Sequence, residues 1–312
     1  RVGACGAGVR TRRGGTVEVM RRTLTCVVLS TLACDGATPA ADAPAGSDSP
    51  TTVDAVVAPD AATTSVGCQT GAGLAEGEHT FELDGRTRRY VLRLPQGYAR
   101  DRAWPVVLAL HGNGGSVSYW DGTSGDRNIR AVLADDAVLV VLEAIGGNWR
   151  DYALPEAEWP ALLEAELRYV DAVVTQVRTD LCVRDDGLFA MGFSGGGSFA
   201  GVLACRRPDV RAIAVGGAVL YVPAATCTRP VPAWITIGAL ELVPAREEYR
   251  DTFRDLAGCT ATTSATPPAP CTAYAGCMPG APVHYCPHPG DHIWPSFASA
   301  AMWQFFAAQL AP

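Results

Sequence analysis

The sequence predicts an α/β protein with a mostly parallel central sheet, helices on both faces and an antiparallel hairpin at its N-terminal end. Two patterns predict this fold class. Short uninterrupted apolar runs are typical of strands that are buried on both faces. They lie at residues 106–110, 137–142, 188–192, 212–215 and 234–237. Segments with helical spacing separate these runs, and strands that alternate with helices favour a parallel sheet.

Two elements are especially clear. Apolar alternation at residues 81–83, the turn residues Asp84 and Gly85, and a second run at 90–94 indicate the hairpin. The clearest helix spans residues 161–181, because its apolar side chains fall on one face. These side chains are Leu163, Leu167, Val170, Val174, Val177 and Leu181. A final amphipathic segment ends near Gln309.

Composition limits the possible partners. The chain has 312 residues, 48% of them hydrophobic and 18% charged, which suits one large core with tails. Its formal net charge of -7 disfavours binding to nucleic acid or to an anionic lipid surface. No apolar run reaches the roughly 20 residues that a membrane span needs. We expect a monomer that takes a neutral or weakly polar substrate.

The N-terminal region predicts export. Residues 1–19 precede the first Met and are interpreted as upstream, non-native sequence. Residues 20–34 have the basic start and short apolar stretch of a signal peptide, and they end at Cys34 in a pattern that resembles the lipobox of bacterial lipoproteins. A plain signal peptide cleaved nearby is the alternative. Residues 35–66 predict a disordered tether rich in Ala, Asp, Pro and Thr, and residues 67–312 form the folded domain. A secreted or cell-surface bacterial lipoprotein is therefore expected.

Cysteine usage agrees with export. Eight of the 11 cysteines follow the tether, and an even number in an oxidising compartment predicts up to four disulfides. Cys182 precedes the predicted strand at residues 188–192, and Cys205 ends the helix expected after that strand. The strand rises about as far as the helix descends, so both cysteines should lie at the same end of the sheet. We therefore predict that they pair. No metal site is expected, because the chain has no C-x-x-C pair.

The pattern G-x-S-x-G at residues 192–196 lies between a predicted strand and a predicted helix. Small neighbours allow a sharp backbone turn, which lifts the hydroxyl of Ser194 out at the edge of the sheet. A glycine-rich chain can hold this pattern by chance, but its position favours a nucleophile. That position is the one the nucleophile takes in an α/β-hydrolase fold.

A serine nucleophile also needs two N–H donors for the oxyanion. This fold takes them from the residue after the serine and from the loop after the third strand. The loop is residues 111–115, so the backbone N–H groups of Asn113 and Gly195 are the candidates. A glycine-rich turn kept only for its geometry is the alternative. His111 is interpreted as a structural residue.

The base and the acid are expected after the nucleophile, with the acid first. His292 lies on a loop after the last predicted strand and is the candidate base, with His288 as runner-up. His284 is assigned to a strand. Glu241 follows the strand at residues 234–237 and can orient an imidazolium as Asp does.

Other carboxylates near these positions are less suited to be the acid. Glu247, Glu248 and Asp251 fall in a predicted helix, where solvated side chains are expected. Asp291 is adjacent to His292 and would have difficulty folding back onto its ring.

Several segments together resemble the extracellular feruloyl esterase and polyhydroxybutyrate depolymerase family. They are His111-Gly112 with Gly114-Gly115, Trp149-Arg150-Asp151, residues 192–197, Leu203-Ala204-Cys205 and His292-Ile293-Trp294-Pro295. The resemblance spans residues 68–309. It implies an α/β-hydrolase fold, no cofactor and hydrolysis of hydroxycinnamic, acetic or 3-hydroxyalkanoic esters. It also suggests a Cys259–Cys277 disulfide.

The chain departs from that family at the acid and near the base. Relatives usually read His-Gly-x-x-Asp where this chain has residues 237–241, so Ile237 replaces His and Glu241 replaces Asp. Asp291 stands where relatives commonly have Gly. The departure puts the placement of the acid in question but not its expected position.

The resemblance implies acyl transfer through a covalent intermediate on Ser194. Trp149 and Trp294 are candidates to flank the acyl group, with simple packing as an equal alternative. A non-catalytic ligand-binding lipoprotein on the same fold is the alternative from another class. No surface-binding module follows Gln309, and an anchor at Cys34 would hold the enzyme at the cell. We therefore expect soluble short-chain or hydroxycinnamoyl esters, with solid polyester as the alternative substrate.

Overall fold

The computed structural model of the protein describes residues 63–310. The N-terminal extension, the signal peptide with Cys34 and all but the last four residues of the tether lie outside the described residues. Those four, residues 63–66, pack on the domain: the buried Ser65 donates its hydroxyl to the carbonyl of Leu181 at 2.7 Å and accepts the N–H of Val183 at 3.0 Å. These four residues, which the sequence assigns to the tether, thus contact the folded domain.

A ten-stranded sheet runs through the centre of this region. Its strands are β1 Gly77–Leu83, β2 Arg86–Arg93, β3 Trp104–Leu110, β4 Val138–Leu142, β5 Val183–Phe193, β6 Val210–Gly216, β7 Ala233–Thr236, β8 Thr263–Ala265, β9 Thr272–Tyr274 and β10 Val283–Tyr285. The order is β1-β2-β4-β3-β5-β6-β7-β10-β9-β8. Neighbours from β4 to β10 in this order pair in parallel. The pairs β1·β2, β2·β4, β9·β10 and β8·β9 are antiparallel.

Helices cover both faces of the sheet. They are α1 Gly67–Thr70, α2 Ile129–Val132, α3 Trp159–Asp180, α4 Gly195–Arg206, α5 Pro244–Leu256 and α6 Ala298–Ala308. One core cluster packs the apolar sides of α3, α4 and α5 against the sheet, and a second cluster packs α2 and α6 against the other face. The central strands β3 and β4 are buried along their whole length because they meet both clusters.

The predicted fold class is confirmed, and so are the hairpin with its turn at Asp84-Gly85, the five buried strands and the long helix. The pattern missed β8 and β9, which have three residues each and no buried side chain. Such short, exposed strands carry no apolar periodicity, so they leave no signal in the sequence.

The disulfide prediction for Cys182 and Cys205 is wrong. Cys182 pairs with Cys68, and Cys205 pairs with Cys227 in the loop between β6 and β7. The two thiols do lie at the same end of β5 and α4, but strand and helix occupy different layers. Two cysteines whose Cα atoms lie more than about 7 Å apart cannot be bridged without moving the backbone.

The other two disulfides join Cys259 to Cys277 and Cys271 to Cys286. The first is the pair that the family resemblance suggested. Four disulfides fit a protein of an oxidising, extracytoplasmic compartment. Within residues 63–310, no helix combines the length and apolar character required to cross a membrane.

Candidate active site

Ser194 occupies the sharp turn between β5 and α4. Its φ of 56° and ψ of -122° place it in a region that non-glycine residues rarely adopt. The turn is fixed on one side by a bond from the Ser194 N–H to the carbonyl of Gly216, at 2.8 Å. On the other side, a Cβ at Gly196 would lie 2.0 Å from the carbonyl oxygen of Leu110, so only glycine fits there. The G-x-S-x-G pattern is thus explained by close backbone contacts around a strained serine.

Glu241 lies in a 3-10 turn, residues Ala239–Glu241, directly after β7. Its side chain is 3% exposed. The Oε1 atom accepts the N–H of Gly238 at 3.1 Å, while Oε2 hydrogen-bonds Nδ1 of His292. Burial by itself raises the pKa of Glu241, but the bonds from His292 and Gly238 and the charge of Arg246 hold that pKa below its ordinary value. Glu241 is therefore an ionised partner for the imidazole.

His292 lies on the loop between β10 and α6, and its side chain is 36% exposed. Because Nδ1 donates to Glu241, Nε2 is the nitrogen left free to take a proton from a substrate or nucleophile. The ring packs 4.5 Å from that of Phe193, the residue before Ser194. Asp291 is engaged locally, since its carboxylate accepts the backbone N–H of His292 at 2.9 Å.

The remaining candidates for base and acid make other contacts. His288 is 4% exposed, its Nδ1 accepts the N–H of Gly290 at 3.2 Å, and burial lowers its pKa. His284 is on β10 and packs edge-on against Phe305. The carboxylates that were expected in a helix do lie in α5.

Asn113 is held by hydrogen bonds to its side chain. Its Oδ1 accepts the N–H of Trp149 at 3.1 Å, and its Nδ2 donates to the carbonyl of Arg150 at 2.8 Å and to the hydroxyl of Tyr221 at 3.3 Å. A Cβ on Gly195 would lie 3.1 Å from the backbone N of Asn113, so the two candidate oxyanion donors are adjacent. The N–H of Gly195 belongs to the first turn of α4, where it has no intrahelical acceptor and lies at the positive end of the helix dipole.

His111 is fully buried beneath this loop. Its Nδ1 donates to the carbonyl of Gly112 at 2.7 Å and its Nε2 accepts the N–H of Ala144 at 3.1 Å. Burial lowers the pKa of His111, which keeps the ring neutral. The structural interpretation of this residue therefore fits its surroundings.

Both tryptophans proposed to flank the acyl group are buried. Trp149 is 0% exposed, stacks on Phe199 at 4.6 Å and donates its indole N–H to the carbonyl of His111. Trp294 is 3% exposed and donates its indole N–H to Ser299 at 3.1 Å. The packing alternative describes both residues, because their polar edges and ring faces are already occupied by protein.

A cleft of about 330 Å³ is lined by Trp149 and Arg150, whose backbone groups bond to the side chain of Asn113. Its walls include Trp159, Tyr221, the paired side chains of Glu164 and Arg206, and Arg150. The guanidinium of Arg150 lies between the rings of Trp159 and Tyr221, 4.6 and 4.1 Å from their centroids. Tyr221 connects this cleft to Asn113, which places an aromatic surface next to the candidate oxyanion donors.

Sequence reasoning missed Tyr221 and Arg246. Tyr221 contacts Asn113, which is 108 residues away. Arg246 contacts His292, 46 residues away, and Glu241, five residues away. Neither residue belongs to a motif. The only sequence signal for the contact of Arg246 with Glu241 is their short separation, since Arg246 lies in the first turns of the helix that follows Glu241.

Among residues 63–310, no group of three or more His, Cys, Asp or Glu side chains is arranged to hold a metal ion.

Comparisons with known proteins agree on one class of enzyme. Residues 82–224 match the family described as "Putative esterase". Feruloyl esterase D of Neurospora crassa is 28% identical over 277 residues, which cover 79% of this chain and 91% of that protein. Feruloyl esterase C of Emericella nidulans is 27% identical over 265 residues, with coverage of 78% and 91%. A ferulic acid esterase from Anaeromyces mucronatus, solved with ferulic acid, superposes with a TM-score of 0.53 at 13% identity over 76% of this chain and 92% of that one, which shows a shared fold.

Proposed function

Because this chain is a carboxylic ester hydrolase related to the feruloyl esterases, we propose that it cleaves hydroxycinnamoyl and short-chain esters through an acyl-enzyme on Ser194. One observation carries the proposal. A strained serine lies at the N-terminus of α4 beside two adjacent N–H donors, and the residue before it, Phe193, packs on a histidine that is bonded to a buried carboxylate. Nucleophile, oxyanion donors and an oriented base are the groups that acyl transfer requires.

The proposed reaction has two halves. In the first, Nε2 of His292 takes the Ser194 proton as Oγ attacks the ester carbonyl, and the N–H groups of Asn113 and Gly195 bind the oxyanion. The alcohol then leaves with the proton held by His292. In the second half, water attacks the acyl-enzyme, gives a proton to His292, and releases the acid as Ser194 recovers that proton. Glu241 orients the imidazole and stabilises its charged form.

The aromatic cleft supports a hydroxycinnamoyl acyl group. Its volume of about 330 Å³ lies at the lower end of the range for small-molecule pockets, roughly 300–1,000 Å³. Trp159, which is half-buried, offers aromatic surface for a phenyl ring. The Glu164–Arg206 pair, 2.8 Å apart, supplies polar atoms that suit a phenolic hydroxyl. Trp149 and Trp294 are not proposed as substrate contacts.

A polyester depolymerase is the second candidate, and one observation favours it. Leu240, next to the acid, is 75% exposed, and Ile293, next to the base, is 50% exposed. Exposed apolar side chains around an active site suit contact with an apolar surface. Rates of acid release from soluble esters and from a polyhydroxybutyrate film separate the two candidates, and comparable erosion of the film would favour the depolymerase.

Export is proposed as well. The four disulfides support an oxidising compartment. A lipid on Cys34 and a bacterial cell-surface location are the finer proposal, and mass spectrometry of the mature N-terminus tests it. A lipidated cysteine there is the expected result, whereas an unmodified N-terminus would favour a plain secreted enzyme. Sedimentation of the purified protein tests the proposed monomer.

The catalytic proposal predicts that Ser194→Ala and His292→Ala each lower kcat on p-nitrophenyl acetate and methyl ferulate by about 10⁴-fold, because triad members act as a unit. Glu241→Gln should cost less. Ser194 should be labelled by a fluorophosphonate in the wild-type protein and not in Ser194→Ala. His288→Ala is the matched control and should keep its activity. Loss of activity in His288→Ala with full activity in His292→Ala would show that His288, and not His292, is the base.

A further inference from the structure

Arg246, on the first turns of α5, joins three segments of the candidate active site. Its Nε donates to the carbonyl of Gly217 after β6 at 3.2 Å. Its Nη1 donates to the carbonyl of Glu241 at 3.0 Å, and its Nη2 lies 3.1 Å from Oε2 of the same residue. The side chain is 19% exposed, and every nitrogen of the guanidinium has an acceptor. This fork of bonds ties the acid loop to the loop after β6.

Such support matters more for a glutamate than for an aspartate. Glu241 has one more rotatable bond than Asp, so more rotamer freedom must be removed to hold its carboxylate in one place. Gly238 holds Oε1, and Arg246 holds both Oε2 and the backbone carbonyl. Only an arginine can make these bonds at once, because a lysine has no planar fork of donors.

Arg246 also brings a positive charge close to the base. Its Nη2 lies 3.3 Å from Nδ1 of His292. Since Nδ1 donates its proton to Glu241, this contact joins two donors and is not a hydrogen bond.

The other charged or titratable groups near the ring make different contacts. Asp291 is bonded to the backbone N–H of His292. His288 is buried close enough to Glu241 for that carboxylate to raise its pKa, although burial lowers it overall. The ring of Phe193, which packs on His292, is uncharged.

We propose that Arg246 is a positioning residue for the hydrolysis reaction, which holds Glu241 in place to accept the Nδ1 proton of His292. This inference rests on the proposed roles of Glu241 and His292. It assigns to Arg246 the task of making a glutamate work at a position where related enzymes commonly have an aspartate.

The test compares three variants with p-nitrophenyl acetate. Arg246→Gln should lower kcat by about 10- to 100-fold with little change in KM, as expected when a base is less well oriented. Arg246→Lys should recover only part of kcat, because it keeps the charge but has no planar fork of donors.

Arg254→Gln is the matched control. Arg254 lies on the same helix, has the same 19% exposure and is paired with Asp251 at 2.8 Å, away from the acid and base loops. It should leave kcat and KM at wild-type values. Melting temperatures of all variants separate a loss of folding from a loss of function, and if Arg246→Gln does not fold, wild-type kcat in Arg246→Lys overturns the proposal.

A double-mutant cycle distinguishes positioning from a general structural effect. In a Glu241→Gln background, Arg246→Gln should cost much less than in the wild type, because the two residues are coupled. An equal cost in both backgrounds, or a wild-type kcat for Arg246→Gln, would overturn the inference. Full activity of His292→Ala would instead refute the proposed triad itself, so the two failures are separable.

Discussion

Replacing Gly217 by alanine tests how closely the proposed base and acid are packed. Gly217 follows β6 with a φ of 58°. A Cβ at this position would lie 2.6 Å from Cε1 and 2.7 Å from Nδ1 of His292, and 3.2 Å from Oε1 of Glu241. Ordinary contacts of a Cβ begin at 3.4 Å. The imidazole must therefore move by about 0.8 Å, because close-packed atoms on the other side leave little room for the backbone to yield.

Two effects of this substitution can be given magnitudes. A misplacement of about 1 Å can cost about 10²-fold in rate, so kcat should fall by roughly that factor while KM changes little. The left-handed backbone costs a residue with a side chain about 1–2 kcal/mol, which should appear as lost stability. Only the loss of rate reports on the base.

Gly85→Ala separates the two effects. Gly85 lies in the turn between β1 and β2 with a φ of 72°, and a Cβ there would meet nothing within 4 Å. This variant should show the same loss of stability in urea unfolding and wild-type kcat on p-nitrophenyl acetate. If Gly217→Ala and Gly85→Ala keep equal turnover, the packing of His292 against Gly217 has no part in the rate, and the reasoning fails.

Two further predictions concern the cleft and the disulfides. Trp159→Ala should raise KM for methyl ferulate at least about 10-fold, the loss expected for one aromatic contact. KM for p-nitrophenyl acetate should stay unchanged. The control is Trp303→Ala, because Trp303 is also half-buried and bonds to Asp136 at 2.8 Å. Equal losses on both esters would remove the cleft from substrate binding. Replacing Cys205 and Cys227 together by alanine should lower the free energy of unfolding by about 2–4 kcal/mol with unchanged kcat/KM, and non-reducing peptide maps that link Cys205 to any cysteine other than Cys227 would contradict the structure.

Local sequence was sufficient where a property depends on neighbours along the chain. The strands at residues 106–110 and 188–192 were located by their apolar runs, which reflect burial on both faces. The turn at Ser194 was located by its small neighbours, which the structure shows pressed against other backbone. The contact between Glu241 and His292 was anticipated from chain order alone, although the catalytic roles of these residues stay proposals.

Interactions between distant segments were not accessible in the same way. The disulfide partner of Cys182 is 114 residues away in the chain. The rise of strand and helix predicts at which end of the sheet a cysteine lies, but not whether it lies in the sheet or in the helical layer. The burial of Trp149 and Trp294 was equally open, because an indole suits a core and a binding surface alike.

By itself, then, the sequence determined the order of strands and helices, the strained serine between them and the chain order of acid and base, since each follows from short-range periodicity or steric demand. Only the tertiary structure decided which cation stands beside Glu241 and which hydroxyl meets Asn113. Arg246 and Tyr221 acquire these positions because the sheet order places the loops after β3, β4, β6 and β7 at one edge. That proximity depends on how all the strands pair, and no residue pattern along the chain records it.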